Sequence, residues 1–169
     1  PEDPEDGMVK IEEAFFATNA PQFEQIAWWG RLPVLVIPLL LLVAVWWFTR
    51  ELLGPVPALI AAFLLVTEPN IAGNSIVVQN DIASALALLL FVMALKRFLT
   101  NGTFRESLML GAAFGIALVT KYSLVVLIPV CFAIVIAWAI ARLVKKRSSF
   151  ASVALSVSSV FIVGYVILI

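Results

Sequence analysis

Along this chain long hydrocarbon runs alternate with short polar knots. Residues 32 to 49, 122 to 141 and 150 to 169 carry no charged side chain. At ~1.5 Å of rise per helical residue, each is about long enough to cross a bilayer core of roughly 30 Å. The segments "LLFVMALK" and "LVVLIPVCFAIVIAW" show none of the polar-apolar alternation of a membrane strand. Helix is therefore the expected conformation, because a helix satisfies its own backbone where no water is present. The expected fold class is all-α, a polytopic transmembrane bundle.

The positions of the charges divide that bundle into spans. Arg50 and Lys96 are 46 residues apart, too far for one crossing, so the chain must turn around near residue 73. Arg105 and Arg142 are 37 residues apart, which places a second turn near Lys121 and Tyr122. Both turns then face the same side. Arg50, Lys96, Arg97, Arg105, Arg142, Lys145, Lys146 and Arg147 gather on the opposite side with only Glu51 and Glu106 for company. The side with the turns keeps Lys10, Arg31 and Lys121 against nine acids. By the positive-inside rule the basic side is cytoplasmic.

Six spans follow, at about 32–49, 53–67, 78–95, 107–120, 122–141 and 149–169, with both termini outside. The second and fourth are short, so polar residues at their outer ends are expected within the membrane's thickness or against a water-filled hollow. Residues 1–31 read as the end of an outer loop. "PEDPED" is a loop start, and the mixed stretch after it suits short interfacial helices with Trp28 and Trp29 at headgroup level. Trp46 and Trp47 mark the far interface of the first span.

Composition agrees: 63% of the 169 residues are hydrophobic and 13% charged, with a mean hydropathy of +1.08. That profile excludes an ordinary soluble domain. Histidine is absent, which removes the commonest metal ligand and general base. The lone Cys131, set among apolar residues, acts as a small hydrophobe. No phosphate-binding loop, dinucleotide fingerprint, CxxC, HExxH or nucleophile elbow is present. The chain has no initiator Met and stops within the apolar run "VGYVILI", so it reads as an internal piece of a longer protein.

The stretch "EPNIAGNSIVVQNDIAS", residues 68–84, breaks the pattern. Asp81 opens an apolar helix, where an acid serves as a cap or first-turn charge. Asn80 beside it would cap as well at less cost, so a carboxylate facing an aqueous pocket is the stronger reading. Lys121 lies on the side the charge rule disfavours. It either snorkels to the interface or offers its ammonium to a phosphate, and it is placed to pair with Asp81. Arg31 reads as an interfacial anchor or a phosphate contact, and Glu68 with Pro69 as a turn acid or a ligand. Gly111 and Gly115 form a small-xxx-small pair for close helix packing, and Pro129 is expected to bend or shift the fifth span. The cluster "RLVKKR" is a cytoplasmic flank.

Four elements together resemble the membrane core of polyprenyl-phosphate-dependent glycosyltransferases of the GT-C fold group. These are the Arg31-Leu32-Pro33 entry to a span, the "RELLG" turn at Arg50–Gly54, the outer loop from Pro69-Asn70 to Asn80-Asp81, and "GAAFGIALVTKY" at 111–122. The likeness covers about residues 25–140 and is to the branch of protein O-mannosyltransferases and lipid A aminoarabinose transferases. It implies a multi-pass enzyme of the plasma (inner) membrane that moves a sugar from a polyprenyl-phosphate donor to a lipid, glycan or protein acceptor on the extracytoplasmic face, with inversion. It implies no cofactor beyond that donor and demands no metal. Membrane lipids, donor and acceptor are the expected partners, and nucleic acid is not. The family's second-loop acid falls on Asp81 and its lysine after the glycine-rich segment on Lys121. Its main catalytic acid is expected upstream of residue 1, and Gly73 or Asn74 stands where the family often has His. Asp81 is then the candidate catalytic residue, and Lys121, Arg31, Asn80, Glu68 and Tyr122 the candidate substrate contacts. Two other classes compete: a secondary transporter using Asp81 as a proton or substrate site, and a catalytically silent subunit whose polar loop binds a partner.

Overall fold

The computed structural model describes residues 4–74, 80–144 and 149–168. Gln79 of the polar stretch and Lys145, Lys146 and Arg147 of the basic cluster lie outside the described residues. Among the described residues every regular element is helical: the protein is an all-α membrane bundle.

Helix α1 spans Pro4–Asn19. The expected loop start is thus helical from Pro4, a residue suited to a helix's first turn because it has no N–H to satisfy. A 3-10 turn at Ala20–Gln22, with proline at its start, leads into α2, Phe23–Leu53. No helix end separates residue 31 from 32: Trp28, Trp29, Gly30 and Arg31 belong to the opening turns of this 31-residue helix. Its length is roughly 46 Å, more than a hydrocarbon core requires.

Gly54, with φ of 95°, stops α2, and Pro55 opens α3, Pro55–Thr67. The short α4, Pro69–Asn74, follows, then α5, Asn80–Asn101. Gly102 closes α5 at φ 63°, its N–H donating to the Phe98 carbonyl at 2.8 Å, a left-handed cap open mainly to glycine. The Thr103 hydroxyl then accepts from the Glu106 N–H at 3.3 Å and starts α6, Phe104–Thr120. A 3-10 turn at Tyr122–Val126 precedes α7, Leu127–Val144, and α8, Phe150–Leu168, ends the described chain. Pro129 stands in the first turn of α7, where its missing N–H costs nothing, and the fifth span changes from 3-10 to α just before it. Four segments, Glu13–Leu53, Asn80–Asn101, Tyr122–Val144 and Phe150–Leu168, are long and apolar enough to cross a membrane, and Pro55–Thr67 is a shorter apolar helix.

Packing radiates from α6. One face meets α5, with Phe91 against Phe114 at 6.1 Å between ring centres. The other runs parallel to α8 along a seam of small residues. A methyl group on Gly111 would lie 2.6 Å from the Val160 carbonyl, and one on Gly115 would lie 2.9 Å from that of Gly164. One turn earlier the Ser159 hydroxyl donates to the Ser107 hydroxyl at 2.8 Å. Such close approach matters in lipid, where burying leucine gains little over leaving it in hydrocarbon. Helix α7 closes the far side: Phe132 stacks on Phe161 at 4.0 Å, and Trp138 packs on Phe98 at 4.4 Å. Cys131 is fully buried there with Val135 and Val160. Helix α2 lies along α5, and α3 folds back on α2 and turns Leu59, Phe63 and Leu64 away from the rest of the chain.

Two glycine substitutions separate close packing from helix propensity. Gly111→Ala drives its methyl into a backbone carbonyl and should destabilise the bundle by about 1–3 kcal/mol. Gly30, with nothing within 4 Å of its added methyl, should instead gain up to about 1 kcal/mol as alanine. Thermal unfolding in detergent checks both signs.

Candidate functional site

Contacts at the helix ends sort the charged residues into two groups. Glu51 of α2 accepts from Lys96 of α5 at 2.8 Å and lies 3.9 Å from Arg97. Arg142 donates to the Asn101 carbonyl at 3.3 Å and sits over the Trp138 ring. At the opposite ends of α5 and α6, the Lys121 ammonium donates to the Asp81 carboxylate at 2.5 Å.

Each partner of that second pair is placed by local structure. Asp81 stands in the first turn of α5, where free N–H groups favour an acid, and Ser84 ties the same turn by donating to the Asn80 carbonyl at 2.6 Å. Lys121 is the extended residue, φ −153° and ψ 131°, between the end of α6 and the 3-10 turn. Thr120 folds its hydroxyl back to the Ile116 carbonyl, so the lysine stem is the first side chain free to reach across to α5. Asp81 and Lys121 keep 54% and 42% of their side-chain surface open, so the pair stands on an open rim of the chain rather than inside an enclosed cavity.

The other candidates lie around it or apart from it. Asn80 precedes Asp81 and is exposed. Tyr122 follows Lys121 and is 90% exposed. Glu68 is the extended residue between α3 and α4, and its carboxylate accepts from the Asn70 amide at 2.8 Å. Arg31 lines a small hollow of about 190 Å³ with Trp28, Leu32 and Leu35, all from α2. Among the described residues no group of three or more His, Cys, Asp or Glu is placed to hold a metal.

The sequence model of the dolichyl-phosphate-mannose-protein mannosyltransferase family matches residues 21–166. The chain belongs to that family. It is accordingly a membrane protein of mannosyltransferase type, a glycosyltransferase whose family acts between a sugar donor and an acceptor. No curated protein and no solved structure matches it. The mannosyltransferase match takes in the seam, both charged ends and every candidate site residue.

Two polar partners were assigned no role from the sequence. Asn70, which holds Glu68, stood only as part of the Pro69-Asn70 loop element. Glu51, the counter-ion of Lys96, carried a signal: positions 51 and 96 lie symmetrically about the turn expected near residue 73.

An exposed ion pair contributes little to stability, because water screens it and holding two side chains costs entropy. A double-mutant cycle of Asp81→Asn and Lys121→Met should give a coupling below about 1 kcal/mol in thermal unfolding. Both variants should insert and fold normally, which leaves any loss of activity to be read as chemistry.

Proposed function

We propose that this mannosyltransferase-family protein moves mannose from a polyprenyl-phosphate donor to a hydroxyl of a lipid, glycan or protein acceptor on the extracytoplasmic face of the membrane. The observation that supports it most is the Asp81–Lys121 pair: an acid and a cation, 40 residues apart in sequence, meet at the end of the bundle remote from the Glu51–Lys96 cluster. The charge distribution supports the assignment of faces, since the Glu51–Lys96 end holds Arg50, Lys96, Arg97, Arg105 and Arg142.

The chemistry of transfer suits the two groups. The acceptor oxygen attacks the anomeric carbon from the side opposite the phosphate, the carbon–oxygen bond to phosphate breaks, and the configuration inverts. Asp81 orients the acceptor hydroxyl or takes the proton it releases. Lys121 meets the negative charge that builds on the departing phosphate, and Arg31 is a second cation for it. Asn80 and Glu68 hold sugar hydroxyls, and Tyr122 flanks the phosphate site beside Lys121. Asp81 and Lys121 neutralise each other in their mutual contact; donor and acceptor replace that pairing with one partner each. No step needs a metal.

Transfer of radiolabelled mannose from polyprenyl-phosphate-mannose by membranes carrying the protein is the test. Asp81→Asn should lower kcat about 10²-fold, the usual worth of a positioned acid-base group. Lys121→Met should lower kcat/KM for the donor, and Lys121→Arg should restore part of it. Full transfer by a correctly inserted Asp81→Asn protein would remove that residue from the site.

A further inference from the structure

The end of the bundle away from Asp81 carries a second arrangement of charge and hydrocarbon. Leu86, Leu90, Met93 and Arg97 fall at intervals of four, three and four residues on α5, so they form one stripe along the helix. An apolar groove lies on either side of it. The first, about 350 Å³ between α5 and α6, is lined by Leu90, Met93, Met109, Ala112 and Ile116, with Arg97 at its mouth. The second, about 260 Å³ between α2 and α5, shares Leu90 and Met93 and adds Val43 and Trp47. Trp47 continues into a hollow of about 400 Å³ with Trp46, Arg50 and Glu51.

The two grooves therefore flank one ridge, and the ridge ends on a guanidinium. Arg50 rests 5.1 Å from the Trp46 ring centre, as in an interfacial belt. Lys96 and Arg97 share the one carboxylate of Glu51, and Arg50 lines the same hollow as Glu51, so the cluster keeps net positive charge. By register Arg105 shares the α6 face of Met109, Ala112 and Ile116.

The geometry points to a binding site for one anionic diacyl phospholipid, its two acyl chains lying on either side of the Leu90–Met93 ridge and its phosphate on Arg97. Charge and shape select this occupant. The mouth is basic, which favours a phosphate of net negative charge over a zwitterionic headgroup. The first groove is lined by Arg97 and the second leads through Trp47 to Arg50 and Glu51, the latter 3.9 Å from Arg97. Two grooves that end at one basic cluster fit two chains joined at one headgroup, whereas a polyprenyl phosphate has a single chain and fills one groove. A transmembrane helix seated here would desolvate Arg97; a phosphate oxygen pairs with it. The site is at the opposite end of the bundle from Asp81 and Lys121 and does not depend on their proposed roles.

Native mass spectrometry of the purified protein, titrated with dioleoyl-phosphatidylglycerol, dioleoyl-phosphatidylcholine or undecaprenyl phosphate, tests it without any variant. The protein should retain one phosphatidylglycerol in preference to phosphatidylcholine, and undecaprenyl phosphate should fail to displace it at equal concentration. Arg97→Gln should weaken retention about fivefold, the worth of one basic side chain at an anionic surface. Ala112→Phe, which fills one groove, should weaken it too, with unchanged thermal unfolding confirming the fold of both variants. Equal retention of the two phospholipids, displacement by undecaprenyl phosphate, or undiminished retention by a folded Arg97→Gln protein would each overturn the assignment.

Discussion

The contact between the backbones of α6 and α8 holds the positions of the other parts. Gly111 and Gly115 present bare backbone to the carbonyls of Val160 and Gly164, so the two helices lie closer than any larger side chain permits. The Ser159–Ser107 hydrogen bond adds a directional contact, worth about 0.6 kcal/mol on average between membrane helices. Everything on α6 inherits that placement. Phe114 sets the distance to α5 through Phe91, and the helix end delivers Lys121 to Asp81. The candidate site is thus made of side chains on a rim, held by a seam of small residues lower in the bundle.

The two ends of the bundle are built on similar physics for different surroundings. At one, Glu51 is shared by Lys96 and Arg97 among tryptophans, an arrangement that suits a headgroup layer. At the other, a single acid and a single base meet in the open. A pair of that kind is easily exchanged for substrate groups, because breaking it forfeits little free energy. A buried pair would resist such exchange, since each ion left behind would be stranded without water.

Much of this was legible from residues alone. Hydropathy gave the helical bundle, and charge spacing put Arg50 and Lys96 on one side, where Lys96 meets Glu51, the neighbour of Arg50. The glycine spacing in α6 announced close packing. What spacing does not encode is the partner: nothing local distinguishes α8 from α5 or α7 as the helix that fills the groove, because that choice is settled by shapes 50 residues away. The run through Trp28 to Pro33 carried the marks of a break, yet α2 passes through them unbroken, although Pro33 and Pro38 each remove one backbone hydrogen bond, a loss that membrane helices tolerate. Of the candidate site, the meeting of Asp81 with Lys121 was readable from topology. Arg31 and Glu68 were grouped with it by chemistry, and the structure shows each with its own local neighbours.

The seam joining α6 to α8 also bears on how the protein is made. Ser107 and Ser159 are separated by 52 residues, so α6 enters the membrane before the segment that will cover it has been synthesised. At about 5–20 residues per second, the ribosome needs roughly 3–10 s to supply that segment. During this interval the glycine groove and a serine hydroxyl face lipid or whatever escorts the nascent chain. Assembly of this seam is gated by translation, because the helix that locks α6 is made after α7.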